Sequence, residues 1–232
     1  MNNITKITGF LDRYGIEYTV TGNQLSLRRS KYKYIFPDPL TEDMAYLVGV
    51  ISGDGSLVTP IKRSRGGYIF RVSIAVARDN QEFLDNILQL LKKLFGINPT
   101  LVKKMRNGSL SCYEILIQLV PIYAYFVDVI GLEIGRRDEN FQVPEIFQNK
   151  RLFPFYLAGM IDTDGHVQNN RFRLDQKNYN MIQQIRELTL KFITNNVSEL
   201  KEWYATYKGK KFKNYYFSFA KIKLPSRNPL KI

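Results

Sequence analysis

Hydrophobic and polar positions alternate strictly through YIFRVSIAVA, where Phe70, Val72, Ile74 and Val76 are separated by Arg71, Ser73 and Ala75. This is the period-two pattern of a half-buried strand. Immediately downstream the rhythm lengthens: from Asp79 to Phe95 apolar residues fall at 83, 84, 87, 88, 91, 94 and 95. That spacing predicts one buried face of a helix, with Asp79 and Glu82 placed as a capping-box variant and Gly96 as its stop. Both signals return later in the chain. RFRLDQ alternates Phe172 and Leu174 with Arg171, Arg173 and Asp175, and Asn178 to Ile193 carries Met181, Ile182, Ile185, Leu188 and Phe192 on one helical face. A hairpin is expected after each helix, turning at Asn107-Gly108 and near Gly209. A closing helix follows in the first copy, Val120 to Gly131, and is truncated in the second.

The recurrence is a duplication. YLVGVISGDGSLV at 46–58 reappears as YLAGMIDTDGHVQ at 156–168, an offset of 110 residues. Each copy reads as αββαββα, so the fold class is α+β, with two pseudo-twofold-related repeats and antiparallel sheets. The expected layout is an appendage over 1–40, a first repeat over 41–138, a linker over 139–151 and a second repeat over 152–232. TKITGFLDRYGI followed by EYTVTGNQLSLRR predicts a small helix plus hairpin in the appendage. Its RRSKYKY stretch either extends a nucleic-acid surface or pads the fold.

Charge narrows the choice of partner. With 34 Lys+Arg against 21 Asp+Glu, the net charge is +13, and nine basic residues against one acid lie between Lys201 and Ile232. Tyr and Phe are interleaved among those lysines. Such an excess points to a polyanion, since neutralising phosphates releases counterions. No strongly amphipathic basic helix suggests a membrane surface, and the apolar runs are too short for a span. With one cysteine, Cys112, and one histidine, His166, neither an internal disulfide nor a Cys/His zinc cluster is available. The first residues, MNNITKITGF, lack a secretion-signal pattern. These features predict an intracellular protein, of cytoplasm, nucleoid or organelle matrix.

The duplicated segment carries the candidate chemistry. Gly49 and Gly53 stand four residues apart, and Gly159 and Thr163 occupy the matching places, so each helix offers a stripe of small residues. Helices packed along those stripes would bring Asp54 and Asp164 together, with Gly55 and Gly165 free to adopt positive φ and end the helices. A carboxylate at a helix C-terminus is disfavoured by a few tenths to about 1 kcal/mol, and two close together repel further. A divalent cation relieves both objections. Mg²⁺ suits such a site because it is held by one or two carboxylates plus water and phosphate oxygens. The Asp162-Thr163-Asp164-Gly165 string lacks the later ligands of a calcium loop.

LVGVISGDG and LAGMIDTDG resemble the two copies of the motif of single-chain LAGLIDADG homing endonucleases. The resemblance covers roughly residues 41–232, with Ser52 departing from the motif's Asp. It implies a DNA-binding saddle of two four-stranded sheets, the motif helices at their interface, and a monomer that hydrolyses both strands of a long duplex site. It implies Mg²⁺ or Mn²⁺ held by Asp54 and Asp164, with Gly53 and Thr163 completing the metal positions; Ca²⁺ would bind without supporting cleavage. Arg71, Ser73, Arg171 and Arg173 would face the groove, and Lys62, Arg63, Arg65, Lys103, Lys211 and Lys213 complete the DNA-contact set. Alignment from the motif suggests Arg78 and Gln176 as residues that position attacking water. Arg137, hard to separate from Arg136, and Arg227 would be further basic active-site residues. His166 is matched by Ser56, which argues against an obligatory histidine base and for a surface or DNA-contact role.

Two rival functions use the same scaffold: an RNA-binding intron maturase and a non-catalytic DNA-binding protein. The chain begins with Met1 and ends in NPLKI, without the terminal nucleophiles of an intein, so an intron-encoded or free-standing protein is expected.

Overall fold

The computed structural model describes residues 2–28, 30, 32–64, 66–106, 108–135, 141–168, 170–207 and 209–220. The chain forms two compact units, one of residues 1–39 and 55–135, the other of 40–54 and 136–232.

In the first unit, helix α1 (Asn3–Arg13) precedes strands β1 (Tyr18–Thr21), β2 (Gln24–Leu27) and β3 (Lys33–Ile35). These strands form an antiparallel sheet of their own, so the expected hairpin gains a third strand. This segment is built into the unit rather than appended to it. Ile7, Phe10 and Leu11 are buried, Phe10 meets Phe70 edge to face at 5.6 Å, and the Tyr125 hydroxyl donates to the Pro37 carbonyl. Burial pushes the Tyr125 hydroxyl's pKa up, so it remains a neutral donor.

Strands β4 (Gly55–Lys62), β5 (Tyr68–Ala77), β6 (Thr100–Arg106) and β7 (Ser109–Ile117) make the unit's four-stranded antiparallel sheet, in the order β4-β5-β7-β6. Helix α3 (Gln81–Phe95) lies between β5 and β6 in the chain and buries Phe83, Leu84, Ile87, Leu90 and Leu91. Gly96 ends it at φ 66°, as the sequence predicts, but the capping box does not form: the N-cap is Asn80, with no side-chain bond to the helix. The closing helix begins as α4 (Val120–Ala124) and continues as a π-helix over Tyr125–Ile130.

The second unit contains helix α2 (Glu42–Asp54) and its counterpart α5 (Phe153–Asp164). Strands β8 (Gly165–Gln168), β9 (Arg171–Gln176), β10 (Lys201–Tyr207) and β11 (Lys210–Ala220) form an antiparallel sheet ordered β8-β9-β11-β10, the same connectivity as the first. Helix α6 (Tyr179–Phe192) packs on β9 and β11 and is capped by Asn178, whose side chain accepts from the Met181 N–H. The expected linker is largely structured here: Phe141, Val143 and Phe147 are buried, and Val143 donates to the Gln184 side chain at 2.8 Å. The truncated closing helix expected after the second hairpin lies outside the described residues.

Helix α2 groups with the second half because of its contact with α5. A β-carbon on Gly49 would lie 2.1 Å from the Tyr156 carbonyl oxygen, and one on Gly159 would lie 2.2 Å from that of Tyr46. The two backbones touch where those glycines meet, as the small-residue stripes predict.

Candidate metal and nucleic-acid site

Thr41 starts α2 by accepting the Met44 N–H on its hydroxyl, and Arg151, just ahead of α5, donates to the Leu40 carbonyl. Inside the helix pair, buried Tyr46 donates to the Asp162 carboxylate at 2.7 Å. The matching position in α2 is Ser52, fully buried, whose hydroxyl finds no hydrogen-bond partner among the described residues. At the far end the helices remain tight. A β-carbon on Gly53 would sit 1.8 Å from Thr163 Oγ1 and 3.2 Å from Asp164 Oδ2. The Asp164 carboxylate therefore lies against the C-terminal end of α2, beside the residue that precedes Asp54, which is exposed. The Gln176 side-chain amide donates to Asp164 Oδ2, fixing that carboxylate from the strand side.

Both helices run into strands without a left-handed residue. Gly165 has φ −96° and ψ 163°, and Gly55 is already paired with Ile74 in β4. This corrects the expected positive-φ stop. What requires glycine at 165 is space: a β-carbon would fall 2.7 Å from Ile161 Cα.

Strand register separates the proposed strand residues. Gly55 pairs with Ile74 and Gly165 with Leu174, so Gln176 is matched by Val76, with Arg78 two residues further on. Arg78 is exposed and its guanidinium donates to the Leu110 carbonyl at 3.4 Å. Arg137, Arg227 and Arg65 lie outside the described residues.

On the first sheet, Val72, Ile74, Ile115 and Ile117 define the core face, and Arg71 and Ser73 the opposite one. Ser73 shares a hydrogen bond with Ser56 at 2.9 Å, and the buried Arg71 Nε has no hydrogen-bond partner among the described residues. Lys103 pairs with Tyr113 and so shares the face of Ile115; Lys104, opposite Cys112, shares the face of Arg71. Lys62 and Arg63 are exposed near the β4–β5 turn.

On the second sheet, Arg171 and Arg173 also lie opposite the core face, but both are engaged. Arg171 makes four hydrogen bonds to Ser218 and Asn196. Arg173 donates twice to Asp175 and stacks over Tyr216 with 3.6 Å from guanidinium carbon to ring centroid. Trp203 Nε1 also donates to Asp175 at 2.8 Å, and exposed His166 stands 3.6 Å from it. Lys211 and Lys213 pair with Thr206 and Tyr204 and fall on the other face, Lys213 bound to Glu202 at 2.7 Å. That bond to Glu202 raises the Lys213 pKa. Lys201 and Lys210 occupy the Arg173 face instead. Their face follows from the register of β10 and β11 with β9, so strand period alone does not find them.

Residues 41–131 and 155–217 match a family model described as LAGLIDADG-like domain. The chain is 23% identical over 162 residues to an uncharacterised protein of Methanocaldococcus jannaschii, covering 70% of this chain and 52% of that one. It is also 25% identical over 137 residues to a DNA polymerase of Thermococcus kodakarensis, covering 55% of this chain and 7% of the polymerase. The chain thus spans about half the length of the first relative and a small part of the second. Among solved structures, mesophilic variants of the homing endonuclease I-DmoI superpose with a TM-score of 0.51 at 18% identity, covering 79% of this chain and 91% of that one. I-DmoI in complex with DNA and Ca gives 0.51 at 18%, covering 79% and 85%. These likenesses establish the fold.

Proposed function

The chain belongs to the LAGLIDADG-like family, and on that premise we propose that it is a site-specific, intron-encoded DNA endonuclease that hydrolyses both strands of a long target as a monomer with a divalent cation. The observation that carries this reading is the Asp164 carboxylate held by Gln176 against the glycine end of α2, next to Asp54. The donor chemistry fits a hard cation. Two carboxylates are the protein's share of a Mg²⁺ site, and among the described residues no group of three or more His, Cys, Asp or Glu forms a fuller cage. A β-carbon at Gly53 would overlap Thr163 Oγ1, so only glycine lets Asp164 Oδ2 lie this close to the end of α2. Asp54 and Asp164, with the backbone at Gly53 and Thr163, would hold Mg²⁺ or Mn²⁺. When bound, such a cation polarises a phosphoryl oxygen as a Lewis acid. I-DmoI structures with target DNA and Mg, and with DNA and Ca, support duplex DNA and a divalent cation as the partners here.

The residues of the chain divide the remaining work. Gln176 orients Asp164, and its amide offers a donor and an acceptor to an attacking water. Arg71, whose buried Nε lacks a partner among the described residues, supplies a guanidinium for phosphate or guanine. The test is cleavage of a duplex recovered by the protein from a randomised pool, with Mg²⁺ present. Asp54→Asn and Asp164→Asn should each retain binding and slow cutting by about a thousandfold, which corresponds to several kcal/mol of transition-state stabilisation. A wild-type protein that binds but does not cut, or variants that cut normally, would overturn the proposal.

A further inference from the structure

The segment before residue 41 lies outside the match to the family model, and its three-stranded sheet has two unlike faces. Leu25 and Tyr34 are buried on one. On the other, register aligns side chains in two cross-strand rows, Thr19–Ser26–Lys33 and Thr21–Gln24–Ile35. Thr19, Thr21, Lys33 and Ile35 are exposed, and none of the five polar side chains in these rows has a hydrogen bond or ion pair among the described residues. Pairing continues one step beyond the strands, where Arg28 donates to the Glu17 carbonyl and its guanidinium neutralises the Glu17 carboxylate. The rows themselves contain a lysine and no acid. The adjoining sequence RRSKYK, residues 28–33, holds four cations and no acid.

We propose that this face is a second surface for duplex DNA, adding contacts that flank the segment read by the four-stranded sheets; it rests on the reading of the protein as a DNA enzyme. Antiparallel strands fit the major groove. Thr, Ser and Gln can donate to or accept from base edges, Ile35 and the threonine methyls can pack on thymine methyls, and Lys33 can neutralise a phosphate. A protein partner would call for a contiguous apolar centre, whereas this face has one isolated isoleucine among polar groups.

The experiment compares full-length wild type with Gln24→Ala/Lys33→Ala on a long duplex selected by the wild type from a randomised pool. Hydroxyl-radical footprints and affinities over a salt series are measured, with thermal unfolding as the folding control. The variant should melt like wild type, lose protection at one end of the footprint, bind about tenfold more weakly and show a salt slope lower by about one. Lys33→Arg should restore the slope, and cutting at saturating protein should be unchanged. An identical footprint and salt slope, on a duplex that both proteins cut, overturns this surface alone. Failure of the wild type to bind any duplex overturns it together with the endonuclease reading.

Discussion

Arg71 and Arg171 occupy matched positions in the two four-stranded sheets, three residues before Ile74 and Leu174, yet their surroundings differ. Arg171 is tied down by Ser218 and Asn196, whereas the Arg71 Nε is buried without a partner among the described residues. The next outward positions diverge as well: Ser73 shares a hydrogen bond with Ser56, and its counterpart Arg173 is held by Asp175 and Tyr216. A repeat thus preserves which face a side chain occupies, because strand period and register do. It does not preserve whether a cation there is available to a phosphate, because neighbouring strands supply different partners.

The sharpest test of this distinction starts where the halves agree. Gly49→Ala should lower stability by about 4 kcal/mol or more, since the added carbon meets a backbone oxygen that cannot move without parting the helices. Gly9→Ala, in a helix with open space around it, should instead raise stability by up to about 1 kcal/mol. Thermal unfolding distinguishes the two, and an equal effect would show that the backbone contact does not limit α2 and α5.

A smaller effect is expected where the motif helices differ. Tyr46→Phe removes a buried donor from Asp162 and should cost about 2 kcal/mol, whereas Ser52→Ala should fall within about 0.5 kcal/mol of wild type. Denaturant titration reads both, and equal losses would erase the asymmetry. Arg171→Ala should then reduce stability by about 1 to 2 kcal/mol, while Arg71→Ala should leave melting unchanged and weaken DNA binding about tenfold. Reversal of those two phenotypes would break the comparison between the sheets. The smallest effect concerns face alone: Lys210→Ala should lower the salt slope of DNA binding by about one, and Lys211→Ala should not change it.

Much of the fold was legible because it depends on local rhythm. The strand over Tyr68–Ala77, the strand over Arg171–Gln176, the helices that follow them and the Gly96 stop all come from nearest-neighbour sterics and amphipathic spacing. The expected capping box failed for a local reason: Asn80 took the cap position without using its side chain. In the site, the small-residue stripes announced the helix contact and the placement of Asp164 at the end of α2, since only glycine lets backbones approach so closely. Arg78 shows where reading by alignment stops, because strand register assigns the position of Gln176 to Val76 instead.

The duplication, the strand and helix periods, the positive charge and the two aspartates at matched helix ends are all carried by residue identity and spacing. Long-range packing places the N-terminal segment in a core, puts Lys104 and Lys210 rather than Lys103 and Lys211 on the arginine faces, and binds Arg171 internally. Those outcomes depend on register and on partners tens of residues away. No local pattern encodes them, because a shift of one residue in pairing exchanges the two faces of a strand.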